Sequence, residues 1–190
     1  MIEEYWQAHR GRLTDKWAHY LPIYDRHFSK FRNRECRMLE IGVSHGGSLQ
    51  LWKAYFGPLM DIWGLDIDPR CSEYEEDGIH IIIGDQSDET LLRLLGSFDV
   101  VIDDGSHFLS DQATALRILW PALKDNGVYL VEDCHNERPE PPRDAGSISY
   151  YPWVSVFEKF HVKPERIVTG HPSRPLNEHE LAAYAKHLHP

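Results

Sequence analysis

Two short stretches carry most of the side chains that could take part in catalysis. The first, DDGSH at residues 103–107, follows the apolar run at residues 100–102. The second, ED at residues 132–133, follows the apolar run at residues 128–131. Carboxylates bind hard divalent cations, and a histidine titrates near neutral pH. Both stretches therefore suit chemistry in which a metal ion and a proton acceptor work together.

Asp104, Glu132 and Asp133 are expected to converge, because the two strands that they follow should be neighbours in one sheet. Converging carboxylates repel one another unless a cation lies between them. A set of oxygen ligands favours Mg²⁺, with Mn²⁺ or Ca²⁺ as the other choices. His107 follows Asp104 by three residues, so it can face the same space and serve as a general base. The alternative is that these acids cap helices and that His107 lies on the surface.

A glycine-rich turn follows the first apolar run of the chain. Glycines let the backbone approach a ligand closely, and the start of the next helix adds oriented N–H groups. The turn lacks both the G-x-G-x-x-G pattern of dinucleotide-binding proteins and the Lys-Ser/Thr pair of a phosphate loop. It is either a cofactor loop or an ordinary turn from strand to helix. Its candidate ligand-binding residues are Glu40, Gly42, Ser44, Gly46, Gly47 and Ser48.

Two further strand ends carry polar side chains. Asp66 ends the next apolar run, where a carboxylate can accept hydrogen bonds from both hydroxyls of a ribose. Asp85 and Gln86 end the third run, and together they offer donor and acceptor groups for an adenine edge. The alternatives are a solvated aspartate at a strand end and ordinary turn chemistry.

These residues depend on five apolar strands that alternate with helical stretches, at residues 38–42, 61–66, 79–83, 99–102 and 128–131. That alternation predicts an α/β fold, a doubly wound and mostly parallel sheet with helices on both faces. Ligands of such sheets bind beyond the carboxyl ends of the strands. Two β-prone runs at residues 147–151 and 154–157 predict a C-terminal hairpin, and Ser87 is the expected N-cap of the helix after the third strand. The polar residues 124–127, which end in glycine, predict a turn before the fifth strand.

We expect a single domain with three parts. Residues 1–35 form a helical segment over the cofactor site, residues 36–160 form the core, and residues 161–190 form a tail that ends in a short helix from Glu178.

The composition narrows the class of function. The chain has 190 residues and a formal net charge of −10, which argues against binding to nucleic acid. No apolar run reaches the roughly 20 residues that a membrane span needs, and the N-terminus does not resemble a signal peptide. The three cysteines form no C-x-x-C pair. Free thiols indicate the reducing cytoplasm.

As a set, the motifs resemble those of class I S-adenosylmethionine-dependent methyltransferases. The segments are EIGxxxGGS from residue 40, the acid at Asp66, GDQ at 84–86, DDGSH at 103–107 and ED at 132–133. More narrowly, they are similar to the metal-dependent O-methyltransferases of macrolide and other natural-product sugars, grouped with cephalosporin-hydroxylase-like proteins. The N-terminal TDKW at residues 14–17, with His19, Tyr20 and Tyr24, is similar to that family's entry segment.

The resemblance implies a Rossmann-like sheet of seven strands with an antiparallel end. It implies S-adenosylmethionine held by the glycine-rich turn, Asp66 and the Asp85-Gln86 pair, with Asp103 as the neighbour that supports this part of the site. It also implies Mg²⁺ on Asp104, Glu132 and Asp133, with His107 as the base that takes the proton of a hydroxyl.

The implied acceptor is a hydroxyl of a small molecule, with a natural-product sugar as the leading choice; catechol-like and other small hydroxylated acceptors fit the same chemistry. Members of this family usually carry a longer insertion before the hairpin, whereas residues 136–146 here are a short Pro-rich stretch. The acceptor site is then either open or completed by a second copy in a homo-oligomer. The alternatives are a non-catalytic S-adenosylmethionine-binding module or partner subunit, and a dinucleotide-dependent oxidoreductase, against which the missing G-x-G-x-x-G argues.

Overall fold

A computed structural model describes residues 1–134, 137–150 and 153–159. The helix expected from Glu178 lies outside the described residues. None of the helices within these three ranges is long and apolar enough to cross a membrane.

Seven strands form one sheet in the order β3-β2-β1-β4-β5-β7-β6. The first five are parallel, whereas β7 runs antiparallel to both of its neighbours, β5 and β6. The α/β prediction and the antiparallel hairpin are therefore confirmed. The strands are β1 Cys36–Ile41, β2 Met60–Asp66, β3 Ile79–Ile83, β4 Phe98–Asp103, β5 Leu123–Val131, β6 Ala145–Tyr150 and β7 Val154–Lys159.

The helices cover both faces of the sheet. They are α1 Ile2–Ala8, α2 Leu21–Phe28, α3 Gly47–Phe56, α4 Glu89–Leu94 and α5 Leu109–Leu119, joined by short 3₁₀ turns. One buried cluster includes Tyr24 and Trp52, and a second includes Phe98 and Leu116. The central strand β4 has helices packed on both of its faces, so residues 100–102 are wholly buried. Burial on both faces explains why these residues form a continuous apolar run.

Two local expectations were wrong. The side chain of Asp88, not Ser87, caps α4 by accepting hydrogen bonds from the backbone N–H groups of Thr90 and Leu91. Residues 124–127, which read as a turn because they are polar and contain glycine, lie within β5. The pairing of β4 with β5 shifts register between Phe98 and Val100, and the exposed stretch at residues 124–126 loops outward there.

The N-terminal segment at residues 9–17, between α1 and α2, lies against the start of α3. The backbone N–H of Arg12 donates a 2.9 Å hydrogen bond to Oε1 of Gln50. A Cβ atom on Gly47 would lie 2.3 Å from the carbonyl oxygens of Arg12 and Leu13. Glycine at this position therefore lets the segment approach the glycine-rich turn.

Candidate functional site

The carboxyl ends of β1 to β4 enclose a cavity of about 340 Å³. Its lining includes Gly42, Asp66, Asp85, Gln86, Gly105 and Phe108. Residues from four separate strand ends therefore face one space, as expected for a doubly wound sheet.

Asp66 holds the glycine-rich turn in place. Its Oδ2 accepts hydrogen bonds from the backbone N–H groups of Val43 and Ser44, at 2.8 and 3.0 Å. Gly42 has φ 93°, and a Cβ atom there would lie 2.1 Å from the carbonyl oxygen of Asp104. The glycine-rich turn and the DDGSH stretch are therefore in direct backbone contact, which only glycine at position 42 permits.

Glu40 and Ser48 lie beneath this turn and not in the open cavity. The Glu40 carboxylate is fully buried and accepts hydrogen bonds from Ser48 Oγ at 2.7 Å and from Trp52 Nε1 at 3.1 Å. Burial raises the pKa of Glu40, and the charge of Lys16 opposes that rise. Above them, Ser44 is exposed with φ 52° and Gly46 has φ 73°.

Gln86 ties the third and fourth strand ends together. Its Nε2 donates to Asp103 Oδ1 at 3.2 Å, and its Oε1 accepts from the backbone N–H of Ser106 at 2.7 Å. Asp103 is fully buried, and burial raises its pKa to about 7. Asp103 thus supports the strand end from inside the core. Asp85 is exposed and accepts a 2.7 Å hydrogen bond from the backbone N–H of Ser87, which lowers its pKa.

An acidic cluster lies beside the cavity. Asp104, His107 and Asp133 each offer one ligand atom, and the three atoms lie within 4.8 Å of one another. The Nε2 atom of His107 is 4.0 Å from Oδ1 of Asp104 and 4.0 Å from Oδ2 of Asp133. The two carboxylates offer oxygen ligands that fit a divalent cation, and the imidazole of His107 faces the same partly open space.

Glu132 lies behind this group, in the core. Its Oε1 accepts a 2.7 Å hydrogen bond from the hydroxyl of Tyr24, and both of its oxygens accept hydrogen bonds from Lys16 Nζ. Burial and the charge of Asp104 raise the pKa of Glu132. On the other side, the Tyr20 hydroxyl donates a 2.5 Å hydrogen bond to Asp133 Oδ1.

The backbone at this edge is unusual. His107 and Asp133 have φ values of 60° and 52°, in the left-handed region that non-glycine residues rarely adopt. Such conformations persist where the surrounding structure enforces them, often at functional sites.

Lys16 is the site residue that sequence reasoning missed. Its ammonium group lies among Glu40, Asp104 and Glu132. The nearest signal was its place in the TDKW stretch. A single lysine on an irregular segment has no periodicity that would direct it towards residues 88 and 116 positions away.

The family model described as a methyltransferase domain matches residues 39–134, about half of the chain. The chain belongs to this methyltransferase family. The matched region runs from β1 to the residue after Asp133, so it contains every strand end that forms the cavity and the acidic cluster.

Curated relatives of this methyltransferase domain share 40–42% of its residues in the aligned region. One is the 8-demethyl-8-(2-methoxy-alpha-L-rhamnosyl)-tetracenomycin-C 3'-O-methyltransferase of Streptomyces olivaceus, 40% identical over 65% of this chain and 36% of the relative. Another is the demethylmacrocin O-methyltransferase of Streptomyces fradiae, 42% identical over 64% of this chain and 34% of the relative. The chain thus spans about a third of the length of these relatives.

A solved structure supports the same fold. The MycE methyltransferase of the mycinamycin biosynthetic pathway, in complex with Mg, SAH and mycinamycin VI, superposes with a TM-score of 0.74 at 29% identity. The match covers 97% of this chain and 59% of MycE.

Proposed function

We propose that this protein transfers a methyl group from S-adenosylmethionine to a hydroxyl of a small glycoside, with a divalent cation, Mg²⁺ first, bound at the acidic cluster. The observation that carries the proposal is that the cavity and the acidic cluster are adjacent. Gly105 lines the cavity, and Asp104 beside it in the chain belongs to the acidic cluster. A donor in the cavity and an acceptor over the cluster can therefore meet.

The cavity suits the cofactor's chemistry. Gly42 and Gly105 expose backbone to the ligand, and Asp66 offers acceptor oxygens for ribose hydroxyls. Asp85 and Gln86 line the side expected for the adenine. S-adenosylmethionine carries a sulfonium cation, and the neighbouring carboxylates favour a positive charge. The relatives named as O-methyltransferases support this choice of cofactor.

Asp104 and Asp133 of the acidic cluster would hold the cation, and Glu132, which lies behind them, would join them as a third ligand. A bound Mg²⁺ supplies Lewis acidity that lowers the pKa of a nearby hydroxyl. Structures of MycE contain Mg, and the carboxylate oxygens of Asp104 and Asp133 are ligands of the kind that Mg²⁺ prefers.

His107 serves as the general base. Its side chain is 32% exposed, so an acceptor can reach it, and its Nε2 atom faces both carboxylates. The acceptor oxygen forms a bond to the methyl carbon as the carbon–sulfur bond breaks, and the hydroxyl proton passes to His107. The products are a methyl ether, S-adenosylhomocysteine and a protonated imidazole. A positioned base contributes about 10²–10⁴-fold to the rate, and alignment of the oxygen with the methyl group contributes further.

A transfer assay tests this function. The protein is incubated with S-adenosylmethionine labelled in the methyl group and a panel of rhamnosylated polyketides and macrolide glycosides, with and without EDTA. We expect label in a glycoside and its loss in EDTA. Binding of S-adenosylhomocysteine without transfer to any acceptor would instead favour a non-catalytic binding module.

A further inference from the structure

Lys16 reaches from the N-terminal segment to three carboxylates, those of Asp104, Glu132 and Glu40. Its Nζ lies 2.5 Å from Oδ2 of Asp104, 3.1 Å from Oε2 of Glu132 and 3.3 Å from Oε1 of Glu40. The lysine side chain is 3% exposed. Glu40 and Glu132 are buried still more completely, at 0% and 1%. The ammonium group is therefore shared by three carboxylates from three different strand ends.

A buried ammonium needs partners of this kind. Burial by itself would lower the pKa of Lys16, but the charges of Glu132, Asp104 and Glu40 raise it well above its ordinary value. The ammonium group of Lys16, with three carboxylates within 3.3 Å, supplies the positive charge at this point of the site. It offsets repulsion within a cluster that would otherwise hold only acids.

The two oxygens of Asp104 face different partners. Oδ2 accepts from Lys16, whereas Oδ1 is the atom 4.0 Å from His107 Nε2. Asp104 can therefore present one oxygen to the open side while Lys16 holds the other. Both oxygens of Glu132 accept from Lys16. A cation that recruited Glu132 would have to take that carboxylate from the lysine.

We propose that Lys16 occupies the carboxylates of Glu40, Asp104 and Glu132 when no metal is bound. By holding carboxylate oxygens that a divalent ion requires, Lys16 sets the site's affinity for that ion. The proposal rests on the metal site of the proposed function. Lys16 acts through the ligands and does not touch the reacting atoms, so it is a positioning residue. When the ion binds, Lys16 loses its hydrogen bonds to Glu132, and the Glu132 carboxylate binds the ion instead.

The direct test is Mn²⁺ binding to the wild-type chain and to Lys16→Met, measured by electron paramagnetic resonance at one pH. Methionine keeps most of the side-chain volume and removes the charge. We expect binding to tighten by about tenfold or more, because a positive charge within a few ångströms of the ion is removed in a poorly solvated site. Without metal, Lys16→Met should melt at a lower temperature than the wild type, since the acids lose their counter-charge.

Lys124→Met is the matched control. Lys124 Nζ lies 2.7 Å from Oδ2 of Asp99. Asp99 is near the start of β4, whereas Asp104 follows the end of that strand. The Lys124→Met variant should leave the dissociation constant for Mn²⁺ unchanged. Equal or weaker Mn²⁺ binding by Lys16→Met would overturn the role of Lys16 while leaving the proposed function intact. A failure of both proteins to bind Mn²⁺ would overturn the metal site and this proposal together.

A measurement on the wild-type chain covers the case in which Lys16→Met does not fold. The lysine NH₃⁺ groups are followed by ¹⁵N NMR during a Mg²⁺ titration, with Lys16→Arg used to assign the signal. We expect the Lys16 resonance to shift or broaden as Mg²⁺ saturates the site, and the Lys124 resonance to stay constant. An unchanged Lys16 resonance at saturation would contradict the exchange.

Discussion

His107 is the residue whose chemical role can be separated most cleanly from folding and cofactor binding. Its ring lies in the acidic cluster beside the cavity, and it is absent from the cavity lining. We expect His107→Ala to lower kcat by about 10²–10⁴-fold, with an unchanged dissociation constant for S-adenosylhomocysteine by calorimetry. His80→Ala is the control, because His80 pairs with Asp61 and lies outside the cluster. Near-normal turnover in His107→Ala would remove it from the mechanism.

Asp104 separates metal binding from cofactor binding. Asparagine preserves the shape of the side chain but removes the negative charge that a hard cation requires. We expect Asp104→Asn to lose the Mg²⁺-induced rise in melting temperature and the response of turnover to EDTA. Asp77→Asn, an exposed change on a distant loop, should retain both. A wild-type metal response in Asp104→Asn would rule out Asp104 as a ligand.

Residue types at strand ends made much of this site predictable. Asp104, His107 and Asp133 could be grouped because carboxyl ends of neighbouring parallel strands lie together. Lys16 could not, since its position depends on how an irregular segment packs. The hydrogen bonds that Gln86 makes to Asp103 and Ser106 were equally hidden, because they depend on the distance between two strand ends.

Among the elements, the glycine-rich turn before α3 links the cavity to the acidic cluster. Gly42 has φ 93°, and a Cβ atom there would lie 2.1 Å from the carbonyl oxygen of Asp104. We expect Gly42→Ala to destabilise the fold by about 1 kcal/mol or more and to weaken binding of S-adenosylhomocysteine. Chemical denaturation and calorimetry measure the two effects.

Gly96→Ala is the matched control for that change. Gly96 also has a positive φ, 81°, but a Cβ atom there meets only the flexible side chain of Arg37, at 3.2 Å. It should lose stability because of backbone strain and retain its affinity for S-adenosylhomocysteine. An equal loss of affinity in both variants would show that general destabilisation, and not the turn, controls the cavity.

Strands were easier to predict than their ends. The buried strands are continuous apolar runs, which is the direct result of packing on both faces. The outward loop of β5 at residues 124–126 has the polar composition of a turn. It lies within β5 because Leu123 and Val128, on either side of it, both pair with β4. Asp88 and Ser87 are both good caps, so their composition could not decide between them.

At the scale of the whole molecule, the strand order β3-β2-β1-β4-β5 brings distant parts of the chain to one edge. A ligand bound there to the folded protein stabilises it by mass action, by about 2.7 kcal/mol at a concentration of 100 times its dissociation constant. We expect S-adenosylhomocysteine to raise the melting temperature and NAD to leave it unchanged. A rise with NAD alone would favour the oxidoreductase alternative.

The most direct test of the joint site is a crystal structure with Mn²⁺ and S-adenosylhomocysteine. It should show S-adenosylhomocysteine between Gly42 and Phe108, with its sulfur directed towards Asp104. An anomalous Mn²⁺ peak should lie on the oxygens of Asp104, Asp133 and Glu132. S-adenosylhomocysteine outside this cavity, or Mn²⁺ bound elsewhere while the Asp104 and Asp133 carboxylates hold none, would contradict the account.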